Sequence, residues 1–399
     1  MFRAIKEKIV LTSLVWWIGI LLFGYFFSYQ YISIESLILF MASIITFTLF
    51  FFLFNEDSTS ASNTDIKNLG NKLDSLLLIL SIIILIYFAI KSFGVQVEYL
   101  AFYRNIYFSE PEKIFGSVLV GEIFNRFFIP FVYLIVIFSL IKKKTSYFNL
   151  LISVICLLVI TFITQGRFPI YHIMYFVLIF AIASNIKLKA KSLILTLFIV
   201  TAVLFFLIFL IISRLEIDMA YIDFYFIHQL FLKYFINYHF VGLFIFDSLL
   251  ENSMYAKETF FACNSLGFLG DTLRRAEEIV LGFGSLEDCY RANNNYFLKG
   301  VYIPGLDGSY NAFGTNLMPL YLDGGWIGVI VTYSFLGYLC AKLKTPKNMK
   351  VHPVFIIINF MIVFGAFQSM ISDPIFQLTI IMYFIYLYVV KFINKLSSE

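Results

Sequence analysis

Charge is what this sequence has least of. Asp, Glu, Lys and Arg make up 14% of its 399 residues, against about a quarter in soluble proteins. So little polar surface cannot cover a water-facing exterior, which excludes an ordinary soluble globular domain. The four cysteines are dispersed with no CxxC, and the four histidines never pair with carboxylates at ligand spacing, so no metal centre is legible. One ExD, Glu216 and Asp218, has the chemistry to hold a divalent ion with a phosphate, but one such match in a chain this long is weak and reads first as a solvated turn. GxxxxGK[ST] and GxSxG are both missing, which excludes P-loop ATP hydrolysis and serine-hydrolase chemistry. The net charge is only +4, and no basic stretch is interleaved with aromatics, so nucleic acid is no partner.

What is abundant is apolar: 61% of residues are hydrophobic and 20% aromatic. Arg3, Lys6 and Lys8 precede a run from Ile9 to Phe27 that is too long for a removable leader, which predicts a retained first span. Further runs lie at 34–54, 75–94, 121–141, 147–164, 170–186, 192–213, 318–341, 353–371 and 375–392. The chain therefore reads as an all-α polytopic integral membrane protein with about ten spans. Lysines recur in every second connection: Lys67 and Lys72, then Lys142 to Lys144, Lys187 to Lys191, Lys342 to Lys350, and finally Lys391 and Lys395. The positive-inside rule then puts both termini in the cytoplasm.

The aromatic segment 221–250 is apolar enough to be another span, but counting it would turn Lys342 to Lys350 outward. It is better read as a helix lying in the outer interface, with His228, Gln229, Lys233 and Asn237 on its polar face. Residues 1–213 then hold seven spans, 214–317 form one large extracytoplasmic loop domain with interfacial helices, and 318–399 hold three more spans. A connection of that length tends to carry function. Cys263 and Cys289 both fall within it, where oxidising conditions permit either a disulfide or two free thiols.

Arginine partitions differently from lysine. Apart from Arg3, all of them (Arg104, Arg126, Arg167, Arg214, Arg274, Arg275 and Arg291) fall on the expected outer side or at an outer span end. Any one of them serves as a headgroup anchor. As a set they sit where positive charge is selected against, and guanidinium forks grip phosphates bidentately. Arg167, in the tight turn TQGRFPIYH, and Arg214, ending the seventh span in IISR, lie at similar expected depth. They are candidates for holding a lipid diphosphate, with Arg291 of the outer domain as a third. Glu122 and Arg126 stand i, i+4 and read first as a structural ion pair.

The most informative stretch is YNAFGTNLMPLYLDGGWIGVIVTYSFLGYL, Tyr310 to Leu339. Gly325 and Gly328 form a small-x-x-small pair, which in lipid signals close helix packing. Asp323 at the membrane surface reads either as a helix cap or as a general base. This stretch and TQGRFP resemble the bacterial O-antigen and capsule repeat-unit polymerases of the Wzy type: Thr315, Pro319, Asp323, Gly325 and Gly328 look like that family's T, P and DxGxxG positions. The related O-antigen ligases carry a His-Asn pair before GxxG. Gly314 and Thr315 stand there instead, which argues against a ligase and leaves His239 as the remaining acid-base candidate.

The resemblance implies a GT-C-like helical fold. It also implies an inverting glycosyl transfer, independent of metal and of any cofactor, at the outer face of the bacterial cytoplasmic membrane. A chain held on undecaprenyl diphosphate would pass to a new lipid-linked repeat unit, with a chain-length regulator protein as a further candidate partner. Asp323 or His239 would take the acceptor proton, Arg167, Arg214 and Arg291 would bind diphosphate, and Thr315 and Tyr321 would contact the sugars. A lipid-linked oligosaccharide flippase is the alternative; it calls for ionisable residues at span centres, which are almost absent. A membrane acyltransferase calls for a histidine or serine in an early span, and the first four spans contain no histidine, which ranks it below the flippase.

Overall fold

Apolar runs this long satisfy their backbone in lipid only as helices. A computed structural model describes residues 2–27, 32–55, 71–98, 103–142, 147–165, 168–183, 223–231, 238–251, 265, 301–303, 308–310, 315–346, 349–367 and 369–396. Nine of the ten expected runs fall wholly or mostly among these residues and are helical over most of their described length, the run from 353 ending its helix at Gly365; 192–213 lies outside them. The helices are α1 (Phe2–Phe27), α2 (Ile34–Phe54), α3 (Asn71–Glu98), α4 (Tyr103–Ser109), α5 (Glu112–Phe115), α6 (Val118–Ile123), α7 (Ile129–Ile141), α8 (Tyr147–Thr164), α9 (Phe168–Ala183), α10 (Phe224–Phe231), α11 (Tyr238–Glu251), α12 (Leu317–Lys342), α13 (Pro353–Gly365) and α14 (Pro374–Leu396). The strands β1 (Val301–Ile303) and β2 (Gly308–Tyr310) pair antiparallel.

Among the described residues, Ile34–Phe54, Ser75–Glu98, Val118–Ile141 and Leu317–Lys342 are long and apolar enough to cross a membrane. Helix α3 leaves Ile83, Ile84, Ile86, Tyr87, Ile90, Phe93 and Val97 exposed. Apolar exposure on that scale is stable only against hydrocarbon, and the chain is an all-α membrane protein.

The chain divides into two compact units that cut across the expected segments. The first combines residues 1–59, 232–344 and 354–380, and so holds α1, α2, α11, the ribbon, α12, α13 and the start of α14. Its core is aromatic. Trp17 lies 4.3 Å from the Phe40 ring and edge-on to Tyr333, and its indole N–H donates to Ile362 O at 2.8 Å. Helices α2 and α12 run side by side at close range, because a Cβ on Gly337 would meet Phe47 O at 2.3 Å. At the lysine-bearing end of this unit, buried Lys6 donates to the carbonyls of Cys340, Ala341 and Leu343 and closes the C-terminus of α12. Burial lowers its pKa to about 8, with the Cys340 thiol pulling the other way.

The second unit combines residues 60–231, 345–353 and 381–399. Here α3 and α8 lie parallel, tied at one end by Ser75 Oγ to Asn149 Oδ1 (2.9 Å) and at the other by Gln96 Nε2 to Phe162 O (3.0 Å). Between α6 and α7 the chain makes a π-helical turn, Phe124–Phe128. Pro130, at the start of α7, has no N–H to give to the preceding turn, which accounts for the widening. Glu122 and Arg126 pair across this turn as expected.

Lys233 and Asn237 of the segment 221–250 lie outside the described residues. Among its described residues the segment forms α10, where His228 and Gln229 are exposed, and α11, which is buried within the first unit through Phe240, Val241, Leu243, Phe244, Phe246 and Leu249. An aromatic helix gains more by covering α1, α2 and α12 than by lying on one apolar face.

Candidate functional site

The site is built on a break in α12. Its first half ends at Asp323, after which Gly324 (φ −157°, ψ 16°) and Gly325 (φ 58°, ψ −150°) leave helical geometry. Only glycine takes the Gly325 conformation without strain. The expected small-x-x-small pair therefore plays another part. Gly325 has no neighbour where a Cβ would be, while a Cβ on Gly328 would meet Leu320 O of the preceding half at 2.8 Å. Gly337, not this pair, makes the close contact with α2.

Asp323 is buried at 7% exposure. Its Oδ2 accepts the Ser265 backbone N–H at 2.7 Å and the Ser265 hydroxyl at 2.5 Å. Ser265 is held in turn: its carbonyl accepts Gln377 Nε2 at 2.9 Å, and the same nitrogen donates to Ile371 O at 2.7 Å. The amides of Met370 and Ile371 donate to Asn316 Oδ1 at 2.7 and 2.9 Å. Asn316 then donates through Nδ2 to Met361 O and through its backbone N–H to Gly365 O, both at 2.8 Å. The hydrogen bonds form a circuit that leaves α12 at Asp323 and returns to it at Asn316.

Around this circuit lie aromatic and acidic side chains. Half-buried Tyr321 stands edge-on to Phe246 at 5.8 Å. Half-buried Trp326 opens the second half of α12 and donates its indole N–H to Glu35 Oε1 at 2.9 Å. Asp247 is buried and accepts from Ser33 N, Ser33 Oγ and Ser36 Oγ, which ties α11 to the N-terminus of α2. Asp373 precedes α14 and accepts the Ile375 N–H at 2.8 Å; burial pushes its carboxyl up to about 6 against the pull of that amide.

A fixed carboxylate can accept a proton from a hydroxyl, and the half-exposed Tyr321 and Trp326 rings offer flat apolar faces. Among the described residues, no three His, Cys, Asp or Glu side chains group as a metal site.

Of the residues singled out from sequence, Asp323, Tyr321 and Thr315 belong to this region. Thr315 is fully buried, and its hydroxyl accepts the Leu317 N–H at 3.2 Å, so it closes the start of α12. His239 lies in the first turn of α11, with its side chain outside the described set. Arg167, Arg214 and Arg291, together with Cys263, Cys289, Glu216 and Asp218, also lie outside the described residues. Gln165, two positions before Arg167, takes the left-handed conformation (φ 45°) that ends α8. Sequence reasoning missed Ser265, Gln377, Asn316, Glu35 and Asp247. Asn316 carried a signal, as a polar residue inside the motif stretch, and Gln377 carried a weaker one, as a lone amide at the start of an apolar helix. Ser265 carried none.

No family model, curated protein or solved structure matches the chain.

Proposed function

We propose that this protein is a membrane-embedded glycosyltransferase of the repeat-unit polymerase kind, acting at the outer face of the bacterial cytoplasmic membrane. The observation that carries this reading is Asp323: a buried carboxylate at a helix break, held by two donors from Ser265, with half-exposed Tyr321 and Trp326 two residues before it and three after it on the same helix. A hydroxyl of the acceptor repeat unit attacks the anomeric carbon of the donor chain. The bond from that carbon to the diphosphate breaks with inversion, undecaprenyl diphosphate departs, and Asp323 takes the acceptor's proton, with His239 as the other candidate base. Arg167, Arg214 and Arg291 are assigned to the diphosphate, whose developing charge guanidinium groups stabilise.

Orientation by lysines supports the outer placement. In the first unit, Lys6 and the Lys342 end of α12 lie together, while Glu35, Trp326, Asp247 and Ser33 gather at the opposite end of the helices. With the lysines inside, the Asp323 end of α12 faces out. The about ten spans and the GT-C-like fold belong to the same proposal.

The test is reconstitution of the full chain in liposomes with undecaprenyl-diphosphate-linked repeat units, with product length resolved on gels. Wild-type protein should yield a ladder. Asp323→Asn should lower turnover by about 100-fold or more, the lower range for loss of a general base, with lipid-substrate binding retained. Arg167→Ala and Arg214→Ala should each leave single units. Full ladders from both arginine variants would remove the diphosphate assignment, and transbilayer movement of lipid without chain growth would favour a flippase instead.

A further inference from the structure

We propose that Ser265 and Gln377 are positioning residues for Asp323: Gln377 fixes the Ser265 backbone, and Ser265 fixes the carboxylate. The proposal rests on the role of Asp323 as proton acceptor given above. Its basis is a relay through three separate parts of the chain: Gln377 of α14 bonds the Ser265 carbonyl, and Ser265 in turn bonds one carboxylate oxygen of Asp323 on α12. Ser265 reaches Oδ2 with both its N–H and its O–H. A single hydrogen bond leaves a carboxylate free to swing about it, whereas two donors from one residue define an approach direction. Ser265 can act in this way only if it is itself held, and the Gln377 amide does so by bridging Ser265 O and Ile371 O through one nitrogen.

The brace extends further, because the loop carrying Ile371 is pinned by Asn316 Oδ1. Asn316 is completely buried, and it sits seven residues before Asp323 on the same helix half. The two ends of Leu317–Asp323 are therefore tied to α13, α14 and Ser265. The break at Gly324–Gly325 separates this short piece from the long second half of α12. A short helical piece beyond a glycine break has few means of fixing a catalytic side chain, and the polar circuit supplies them. An apolar helix start such as PIFQLTI gains nothing from an amide at its fourth position unless that amide has such work.

The experiment compares Ser265→Ala, Gln377→Ala and Gln377→Glu in the full reconstituted chain. Gln377→Glu keeps the size of the side chain but donates neither hydrogen bond, so a packing role would survive it. We expect both Gln377 variants to lower kcat by about tenfold with KM for the lipid-linked acceptor unchanged, the scale of a misplaced catalytic group. They should also displace the pH at which the rate rises. In the Asp323→Asn background Gln377→Ala should add no further loss, because both act through one group. A second readout does not depend on activity. Labelling of Asp323 by a water-soluble carbodiimide and an amine, read by peptide mass, should accelerate several-fold in Ser265→Ala and Gln377→Ala, with exposed Glu35 as the unchanged internal reference.

Unchanged labelling of Asp323 in both variants overturns the proposal. So does wild-type kcat in Gln377→Glu where Asp323→Asn is inactive, and so do additive losses in the double variant. If the wild-type protein makes no polymer, the proposed function fails, and the labelling still decides by itself whether Ser265 and Gln377 hold the carboxylate.

Discussion

Asn316 shows how one residue's surroundings override its usual tendency. Placed just before a helix, asparagine ordinarily caps it with its side chain. Here the amide makes no cap bond and instead serves Met361, Met370 and Ile371. The arrangement leaves no space on the other side: a Cβ on Gly365 would lie 1.9 Å from Asn316 Nδ2. Gly365→Ala should therefore destabilise the protein by about 2–3 kcal/mol, the upper part of the usual overpacking range, seen as a lower midpoint of thermal unfolding in detergent. Asp373 gives a pH dependence. Below 3.8 its carboxyl is protonated in folded and unfolded chains alike; as pH rises through about 6 the unfolded chain has already released the proton that the half-buried carboxyl of the folded chain retains. Stability falls over that interval. Thermal unfolding should thus occur a few degrees lower at pH 7 than at pH 4, and Asp373→Asn should flatten this slope relative to wild type.

At the scale of elements, the break in α12 makes a prediction that separates two adjacent glycines. Gly325 has a positive φ, so Gly325→Ala should cost about 1–3 kcal/mol in backbone strain. Gly324 has an extended φ of −157° and no neighbour within 4 Å of a Cβ, so Gly324→Ala should leave folding nearly unchanged. Thermal unfolding of the two variants checks this, and equal damage from both would mean that α12 is not broken at that point. The same break explains why the glycine pair misleads as a sequence signal. Spacing alone identifies small residues that let backbones approach, yet the backbone close to Gly328 belongs to its own helix, across the break. Helix α11 likewise carries aromatics on all sides, and such a pattern marks a helix with neighbours all round as readily as one lying in an interface.

At the scale of the whole molecule, the lysine pattern predicts an orientation that thiol chemistry can read. In protein with Cys263→Ser and Cys289→Ser, whose remaining Cys156 and Cys340 are buried, a membrane-impermeant maleimide applied to intact cells should modify Ile34→Cys. It should modify Lys344→Cys only after lysis. Both positions are exposed, so accessibility within the fold does not confound the comparison; the reverse pattern would invert the topology and remove the outer-face site. Each unit by itself accords with this orientation. Lys6 meets Leu343 in one, and Lys350 N donates to Ile141 O in the other, each pairing a lysine-rich end with another.

The sequence by itself determined the solvent and the elements. Uninterrupted apolar runs can satisfy their backbone in lipid only as helices, so the described runs are helical over most of their length, although the one expected to reach 371 stops at Gly365. It also determined that Asp323 stands beside a turn-permissive glycine pair. Only the tertiary structure decided what surrounds that carboxylate. Ser265 and Gln377 stand 58 and 54 residues from Asp323 along the chain, and hydrogen bonds between distant segments leave no periodicity to read. Hydropathy is a sum over neighbours in sequence, whereas a polar circuit depends on which neighbours meet in space.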